Sequence, residues 1–239
     1  MTDRYTLAID TATSQVGVAL AGPGGPVASL HLRQGRRHGE ALAPAIEILS
    51  RLTGVALAEV GSIAVDLGPG LFTGLRVGIA TAKALADALG VPVVGCSSLD
   101  VLAHRHASSR RSVAAVVDAR RGEVFWALYA PAEGGMAPLT EPAVSTPEDL
   151  AASLVAALSS GLDAPARGGI LATGDGARRY AAVLGAVAGV EIDHPDGDHP
   201  SATVLADLAA GRPSVDAARI TPIYLRSADV RIGWQQRDG

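Results

Sequence analysis

Twice in this chain a short apolar run ends in an aspartate, bends through polar residues and resumes as a second apolar run. The first instance is residues 6–10 closing on Asp10, the bend Thr11-Ala12-Thr13-Ser14, and residues 16–21. The second is residues 113–118 closing on Asp118, the turn Arg120-Arg121-Gly122, and residues 123–129. Strands joined so tightly pair antiparallel. A third run at 27–32, after Gly22-Pro23-Gly24-Gly25-Pro26, extends the first pair into a meander. A repeated opening of this kind points to a duplicated architecture. The polar, aperiodic stretch Ser108-Ser109-Arg110-Arg111-Ser112 places a boundary near it, dividing the chain into residues 1–107 and 108–239.

Between these landmarks, helical and extended segments alternate. Leu42, Ala45, Ile46, Leu49 and Leu52 fall at helical spacing over residues 39–53, with Gly54 just beyond. Residues 60–67 read as a buried strand, 68–74 as a glycine-rich loop and 73–89 as a helix closed by Gly90. That helix carries Gly74, Gly78, Ala82 and Ala86, one small residue every four positions, so another helix or strand could approach its backbone closely. A strand at 91–95 and a helix at 97–106 follow. After the boundary come a turn-rich stretch at 131–147, a helix at 148–158, a strand at 169–173 running into Gly174-Asp175-Gly176, and a helix at 178–184. A loop at 193–200, a helix at 203–210 and a last strand at 220–225 complete the pattern.

Composition bounds the function classes. The chain has 239 residues, 48% of them hydrophobic and 18% charged, enough apolar material for a packed core. Twenty Lys plus Arg against 24 Asp plus Glu leave a net charge of −4, so no global positive field advertises nucleic acid or an anionic membrane. A single cysteine, Cys96, excludes internal disulfides and zinc sites built on paired thiolates, as expected of a reducing compartment. Asp3 and Asp10 interrupt the apolar stretch a secretory leader needs, and no run approaches the roughly 18 apolar residues of a membrane span, so a cytoplasmic location is expected.

Asp10 with Thr11 and Thr13 would put a carboxylate and two hydroxyls at the mouth of a turn. That trio could hold a metal-bound phosphate, the acid orienting Mg²⁺ waters while hydroxyls and N–H groups take phosphate oxygens. It could equally be a local side-chain turn capping the strand. Asp118 invites the same two readings. Gly174-Asp175-Gly176 could admit a nucleotide or simply turn strand into helix. The loop at 68–74 precedes a helix N-terminus, which favours an anion, yet it matches neither standard nucleotide fingerprint and reads rather as a glycine turn that permits tight helix packing. Arg76 could bind an anion or pair with a surface acid. No metal ligand set emerges: His38 is followed four residues on by Leu42, His104 and His106 point different ways on one helix, and His194 and His199 share a loop with Asp193, Asp196 and Asp198 that reads as a solvated turn. Cys96 reads as a small buried hydrophobe.

Four stretches together resemble the TsaB (YeaZ) family. They are Leu7-Ala8-Ile9-Asp10-Thr11-Ala12-Thr13, Gly68-Pro69-Gly70-Leu71-Phe72-Thr73-Gly74-Leu75-Arg76-Val77-Gly78-Ile79, Asp118-Ala119-Arg120-Arg121-Gly122-Glu123-Val124 and Pro222-Ile223-Tyr224-Leu225-Arg226. Between about 134 and 200 the likeness is weak apart from Gly174-Asp175-Gly176. The resemblance implies an α/β, actin-like ATPase fold of the ribonuclease H-like kind, with two related lobes on mixed five-stranded sheets. It implies nucleotide-type turns at Asp10, Thr11 and Thr13, at Asp118, and at Gly174, Asp175 and Gly176, with no cofactor required and ATP or ADP held, if at all, at a complex interface.

The resemblance also implies a role. The family serves the complex that adds threonylcarbamoyl to N6 of the adenosine 3′ of the anticodon in tRNAs reading codons that begin with A. Its catalytic relative TsaD binds metal through an H-x-x-x-H motif; His38 and Leu42 stand near the corresponding place, so the motif is missing and a non-catalytic paralogue is implied. Such a protein binds and activates TsaD, with TsaE joining through that pair, TsaC making the donor, and tRNA touched only indirectly. The implied interface lies on the first two helices: Leu42, Ile46, Leu49, Gly74, Leu75, Gly78, Ile79, Ala82 and Leu85, with the division between partner-facing and sheet-facing residues open. Without the partner that surface could pair with a second copy. The segment at about 200–226 could pack back towards the first lobe. The competing reading is an ATP-dependent, kinase-like enzyme of the same superfamily, or a peptidase-like relative.

Overall fold

The computed structural model describes residues 4–33, 38–161 and 168–226. The first sheet comprises β1 (Tyr5–Asp10), β2 (Gln15–Gly22), β3 (Gly25–Arg33), β4 (Val60–Asp66) and β5 (Val93–Cys96), in the order β3-β2-β1-β4-β5. The meander β1-β2-β3 is antiparallel, whereas β4 and β5 lie parallel to β1. The second sheet repeats this plan. Its strands are β6 (Ser112–Arg120), β7 (Glu123–Ala132), β8 (Gly135–Pro138), β9 (Ala143–Ser145), β10 (Ile170–Thr173) and β11 (Val190–Ile192), with the path β11-β10-β6-β7-β8. Here β6, β7 and β8 form the antiparallel meander and β10 and β11 run parallel to β6. The sixth strand, β9, is a short addition beside β7. Two mixed sheets of identical order make this the actin-like α/β fold.

Helices cover both faces of each sheet, so strand residues alternate between two apolar layers rather than between core and water. In β6, Ala114 and Val116 belong to one buried cluster and Val113, Ala115 and Val117 to another. On the first sheet, α1 (His38–Thr53) and α2 (Phe72–Leu89) cover the face carrying Leu7, Ile9, Ile63 and Val65. The opposite face, Ala8, Ala19 and Ala64, is covered by α7 (Ala202–Ala210). On the second sheet, α4 (Pro147–Ser159), α5 (Asp175–Arg179) and α6 (Ala181–Leu184) take one face, and α3 (Ser98–His104) takes the other. Each of α3 and α7 thus follows one sheet in sequence and packs on the other, and the two helices touch.

Several expectations change. Residues 131–147 contain β8 and β9, and β11 precedes the 193–200 loop; these strands are three or four residues long, too short for a periodic signal. The helix expected at 178–184 is broken at Tyr180 (φ −109°) into α5 and α6. No strand forms at 220–225: Pro222 has no N–H to donate, and one bond, Ile223 N–H to the Leu67 carbonyl at 2.8 Å, ties the segment to the first sheet. Residues 227–239 of the second range lie outside the described residues.

The small residues of α2 explain how the first sheet is closed. A Cβ at Gly74 would lie 2.1 Å from the Thr11 carbonyl oxygen, and one at Gly78 would lie 2.2 Å from Thr11 Oγ1. At Gly70 it would lie 2.2 Å from the Ala12 carbonyl oxygen. The glycines therefore admit the β1–β2 turn of their own chain. Gly74→Ala must push that turn and helix apart, an overpacking cost of about 1–3 kcal/mol. The melting temperature of this variant should drop by at least about 3 °C in thermal denaturation.

Candidate functional site

The residues singled out in the sequence gather where the parallel strands of each sheet end. Asp10 closes β1 and is fully buried, as are Thr11 and Thr13. Asp10 Oδ1 accepts the Ala12 N–H at 2.9 Å, the local turn expected of an aspartate after a strand. Thr11 Oγ1 donates to the Gly74 carbonyl at 2.8 Å, the Ala12 carbonyl accepts the Leu71 N–H at 2.7 Å, and the Thr13 carbonyl pairs with His38 Nε2 at 2.7 Å. The Thr11 hydroxyl and the Ala12 N–H, two of the donors a phosphate would use, are thus engaged within the chain, and α2 packs against the turn.

A residue not singled out by sequence completes the centre. Asp66 ends β4, the parallel neighbour of β1, and its Oδ1 accepts the Gly68 N–H at 2.7 Å and the Ser98 hydroxyl at 2.6 Å. Like Asp10 and Asp118 it is an acid closing an apolar strand, the signal that could have found it. Asp10 Oδ2 and Asp66 Oδ2 are both buried without a donor. The two carboxyls interact, and burial first, then the charge of Asp66, pushes Asp10 well above the usual carboxylate range. Burial also raises Asp66, against the bonds from Ser98 and Gly68. One proton on Asp10, directed at Asp66, gives both orphaned oxygens a partner.

The second lobe repeats the arrangement with different chemistry. Asp118 Oδ1 accepts the Arg120 N–H at 2.9 Å, and its Oδ2 meets the guanidiniums of Arg120 at 2.9 Å and Arg179 at 3.4 Å. The turn here, Arg121 (φ 55°) and Gly122 (φ 81°), has the left-handed pair a two-residue hairpin favours. Asp175 Oδ1 accepts the Asp118 N–H at 2.9 Å, and burial, with the charge of Asp118, lifts its carboxyl to about 6. Cβ atoms at Gly174 and Gly176 would meet the backbone of Val116 and Val117 at 2.2 and 2.8 Å. The glycine turn therefore seats a helix on β6 rather than making room for a base or ribose.

The remaining candidates resolve individually. Leu42, Ile46, Leu49, Gly74, Leu75, Gly78, Ile79 and Ala82 all face inward, and Leu85 is half-buried against the same core. Within the chain Gly78 and Ala82 lie against their own lobe. On the outer face of these helices Leu52 is 77% and Phe72 51% exposed. Arg76 lies 3.9 Å over the Phe72 ring, which packs on Tyr224, and so pairs with aromatics rather than an acid. Burial drives the Cys96 thiol up to about 11, inert as a nucleophile. In the 193–200 loop, burial opposes the charge of Asp193, but bonds from His106 and Thr173 outweigh it and hold the carboxyl at about 2. Asp198 binds Arg178 at 3.1 Å. Among the described residues no three His, Cys, Asp or Glu side chains form a metal cluster, and no helix is long and apolar enough to cross a membrane.

Residues 29–165, more than half of the chain, match the family model described as TsaD, tRNA N6-adenosine threonylcarbamoyltransferase. The chain is 37% identical over 134 residues to the tRNA threonylcarbamoyladenosine biosynthesis protein TsaB of Escherichia coli, covering 54% of this chain and 57% of that one. It is 29% identical over 230 residues to the Bacillus subtilis protein of the same name, covering 95% and 96%. The chain thus spans just over half of the Escherichia coli relative, and 39% of an uncharacterized Mycobacterium leprae protein to which it is 38% identical over 148 residues, 60% of this chain. The solved structure of YeaZ from Pseudomonas aeruginosa superposes with a TM-score of 0.78 at 33% identity, over 93% of this chain and all of that one.

The buried carboxyls make stability pH-dependent. A carboxyl whose folded pKa lies above its unfolded value favours the native state below that unfolded value, near 4, and the benefit is lost as pH rises through the folded value, about 6 for Asp175. Melting temperature should therefore fall between pH 5 and pH 8. Asp10→Asn keeps the acceptor for Ala12 and supplies an N–H towards Asp66 without a titrating proton. At pH 8 it should raise the melting temperature by about 2–6 °C and flatten the pH profile, read by calorimetry.

Proposed function

Because the chain belongs to the TsaB (YeaZ) family, we propose that it serves threonylcarbamoyladenosine synthesis in tRNA as a non-catalytic subunit that binds and activates TsaD. The observation that carries this reading is the closure of the Asp10 turn. An ATP-dependent enzyme of this fold needs hydroxyls, N–H groups and an ionised acid open to a phosphate at that turn. Here the Thr11 hydroxyl is bonded to α2, the Ala12 carbonyl accepts the Leu71 N–H, and Asp10 is buried beside Asp66 with its carboxyl raised well above the usual range. The H-x-x-x-H pattern of TsaD is absent in kind as well as in sequence: His38 is buried on the Thr13 carbonyl and Leu42 lies in the core.

What remains available is the outer face of α1 and α2. Both helices are anchored by a full inner stripe, so their exposed sides form a rigid surface on which Leu52 and Phe72 stand out as large apolar groups. Burial of each in a partner contributes about 1.5–3 kcal/mol, and an aromatic beside an arginine, as in Phe72 and Arg76, has the composition of an interface anchor. TsaD is the partner that this face receives, with TsaE added to the pair; a second copy of the chain takes the same face when TsaD is lacking.

Leu52→Asp combined with Phe72→Asp should abolish co-purification with TsaD and threonylcarbamoyl transfer by the reconstituted TsaB-TsaC-TsaD-TsaE system. Because both side chains are exposed, the melting temperature should stay within about 2 °C. Retention of the complex by this variant, or ATP turnover by the chain alone, would sink the proposal.

A further inference from the structure

A second feature lies apart from the Asp10 and Asp118 turns. Between the end of β3 and the loop leading into α7 is a cavity of about 190 Å³, lined by Gln15, His31, Arg33, Arg105, His199 and Ser201. Its wall brings two guanidiniums and two imidazoles together from three separate parts of the chain, in a protein whose net charge is −4. Neither Arg33 nor Arg105 has a carboxylate partner among the described residues. One acid, Asp196, also lines this cavity; it is exposed and pairs with His194 at 3.3 Å. Asp198, which also acts on His199, is bound to Arg178.

One imidazole has a fixed donor and the other an unused ring nitrogen. His31 Nε2 accepts the Ala202 N–H at 3.1 Å, so the neutral ring carries its proton on Nδ1. The Gly17 backbone behind the ring, where a Cβ would lie 3.1 Å from His31 Cδ2, leaves room for that side chain and no larger neighbour. His199 Nδ1 is buried with no hydrogen-bond partner, a condition rare in folded proteins. Burial and the nearby arginines, Arg105 for His31 and Arg33 for His199, hold both rings below their ordinary pKa. An anion between them reverses the electrostatic part of that shift.

We propose that this pocket binds a phosphate group, carried by a nucleotide or by an RNA backbone, between Arg33 and Arg105 with His31 and His199 donating. Guanidinium forks match phosphate oxygens. A carboxylate, with two oxygens, would leave part of this donor set unmatched. The inference does not depend on the chain's role beside TsaD.

The test is isothermal titration of the full chain with inorganic pyrophosphate, AMP and a short single-stranded RNA, at pH 6.5 and pH 8. Saturable binding that is tighter at pH 6.5, and at least tenfold weaker in Arg33→Gln/Arg105→Gln at an unchanged melting temperature, is expected. AMP bound as tightly as pyrophosphate assigns the site to nucleotides; RNA bound more tightly, with the same sensitivity to the double variant, assigns it to a phosphodiester backbone. If the double variant melts early, Arg105→Gln alone, at an exposed position, supplies the comparison. Failure of all three probes to bind, or binding that the arginine variants leave intact, overturns the proposal.

Discussion

The contact on which the rest of the first lobe depends is the approach of α2 to the turn after β1. Gly74 and Gly78 let the helix backbone come against Thr11, and the Thr11 hydroxyl closes the contact on the Gly74 carbonyl. Two consequences follow from so short a separation. The helix is locked to the sheet by backbone as well as by Leu75 and Ile79, and Thr11, Ala12 and Thr13 of the turn between β1 and β2 are buried from solvent. Burial, and then the charge of Asp66 on β4, raises the Asp10 carboxyl at the end of β1 well above the usual range, because desolvation and a like charge both disfavour its ionised form. Closure of the turn, suppression of charge and rigidity of the helix pair are one structural event.

The second lobe reaches a similar end by another route. Gly174 and Gly176 bring α5 against β6, and the guanidiniums of Arg120 and Arg179 reach the Asp118 carboxyl. In both lobes, glycines bring backbone to backbone. Both turns are thereby consolidated within the chain, and the surfaces proposed for recognition are the outer faces of α1 and α2 and the arginine-lined pocket beside β3. The exchange of α3 and α7 between sheets adds to this, since neither sheet is complete without a helix from the other part of the chain.

Much of the fold was legible because its signals are local. An apolar run of six to nine residues ending in an acid, a tight turn, or a stripe at helical spacing needs no knowledge of the rest of the chain, and β1, β2, β6, β7, α1, α2 and α4 all carry such signals. The strands β8, β9 and β11 carry none, being held by pairing to a neighbour already in place. The stretch after Ile220 was apolar enough to read as a strand, yet Pro222 denies it a ladder. Asp66 stood in plain view at the end of an apolar run; its meaning came only from the parallel pairing of β4 with β1, which sets its carboxyl beside that of Asp10.

By itself the sequence determined the duplicated strand-and-acid plan, the two helices of the first lobe and the likeness to the TsaB family, because each rests on residue types at short, regular spacing. Only the tertiary structure decided which way those features face. A small residue every four positions permits a close approach but does not name the partner; packing made that partner Thr11 of the same chain. A carboxylate after a strand can hold a metal-bound phosphate or a proton; burial beside Asp66 raises its affinity for the proton. His31, Arg33, Arg105 and His199 are separated by up to 168 positions in sequence, and no local pattern links them. Their meeting depends on α7 folding back onto the first sheet, a long-range contact set by hydrophobic burial rather than by anything the four residues themselves encode.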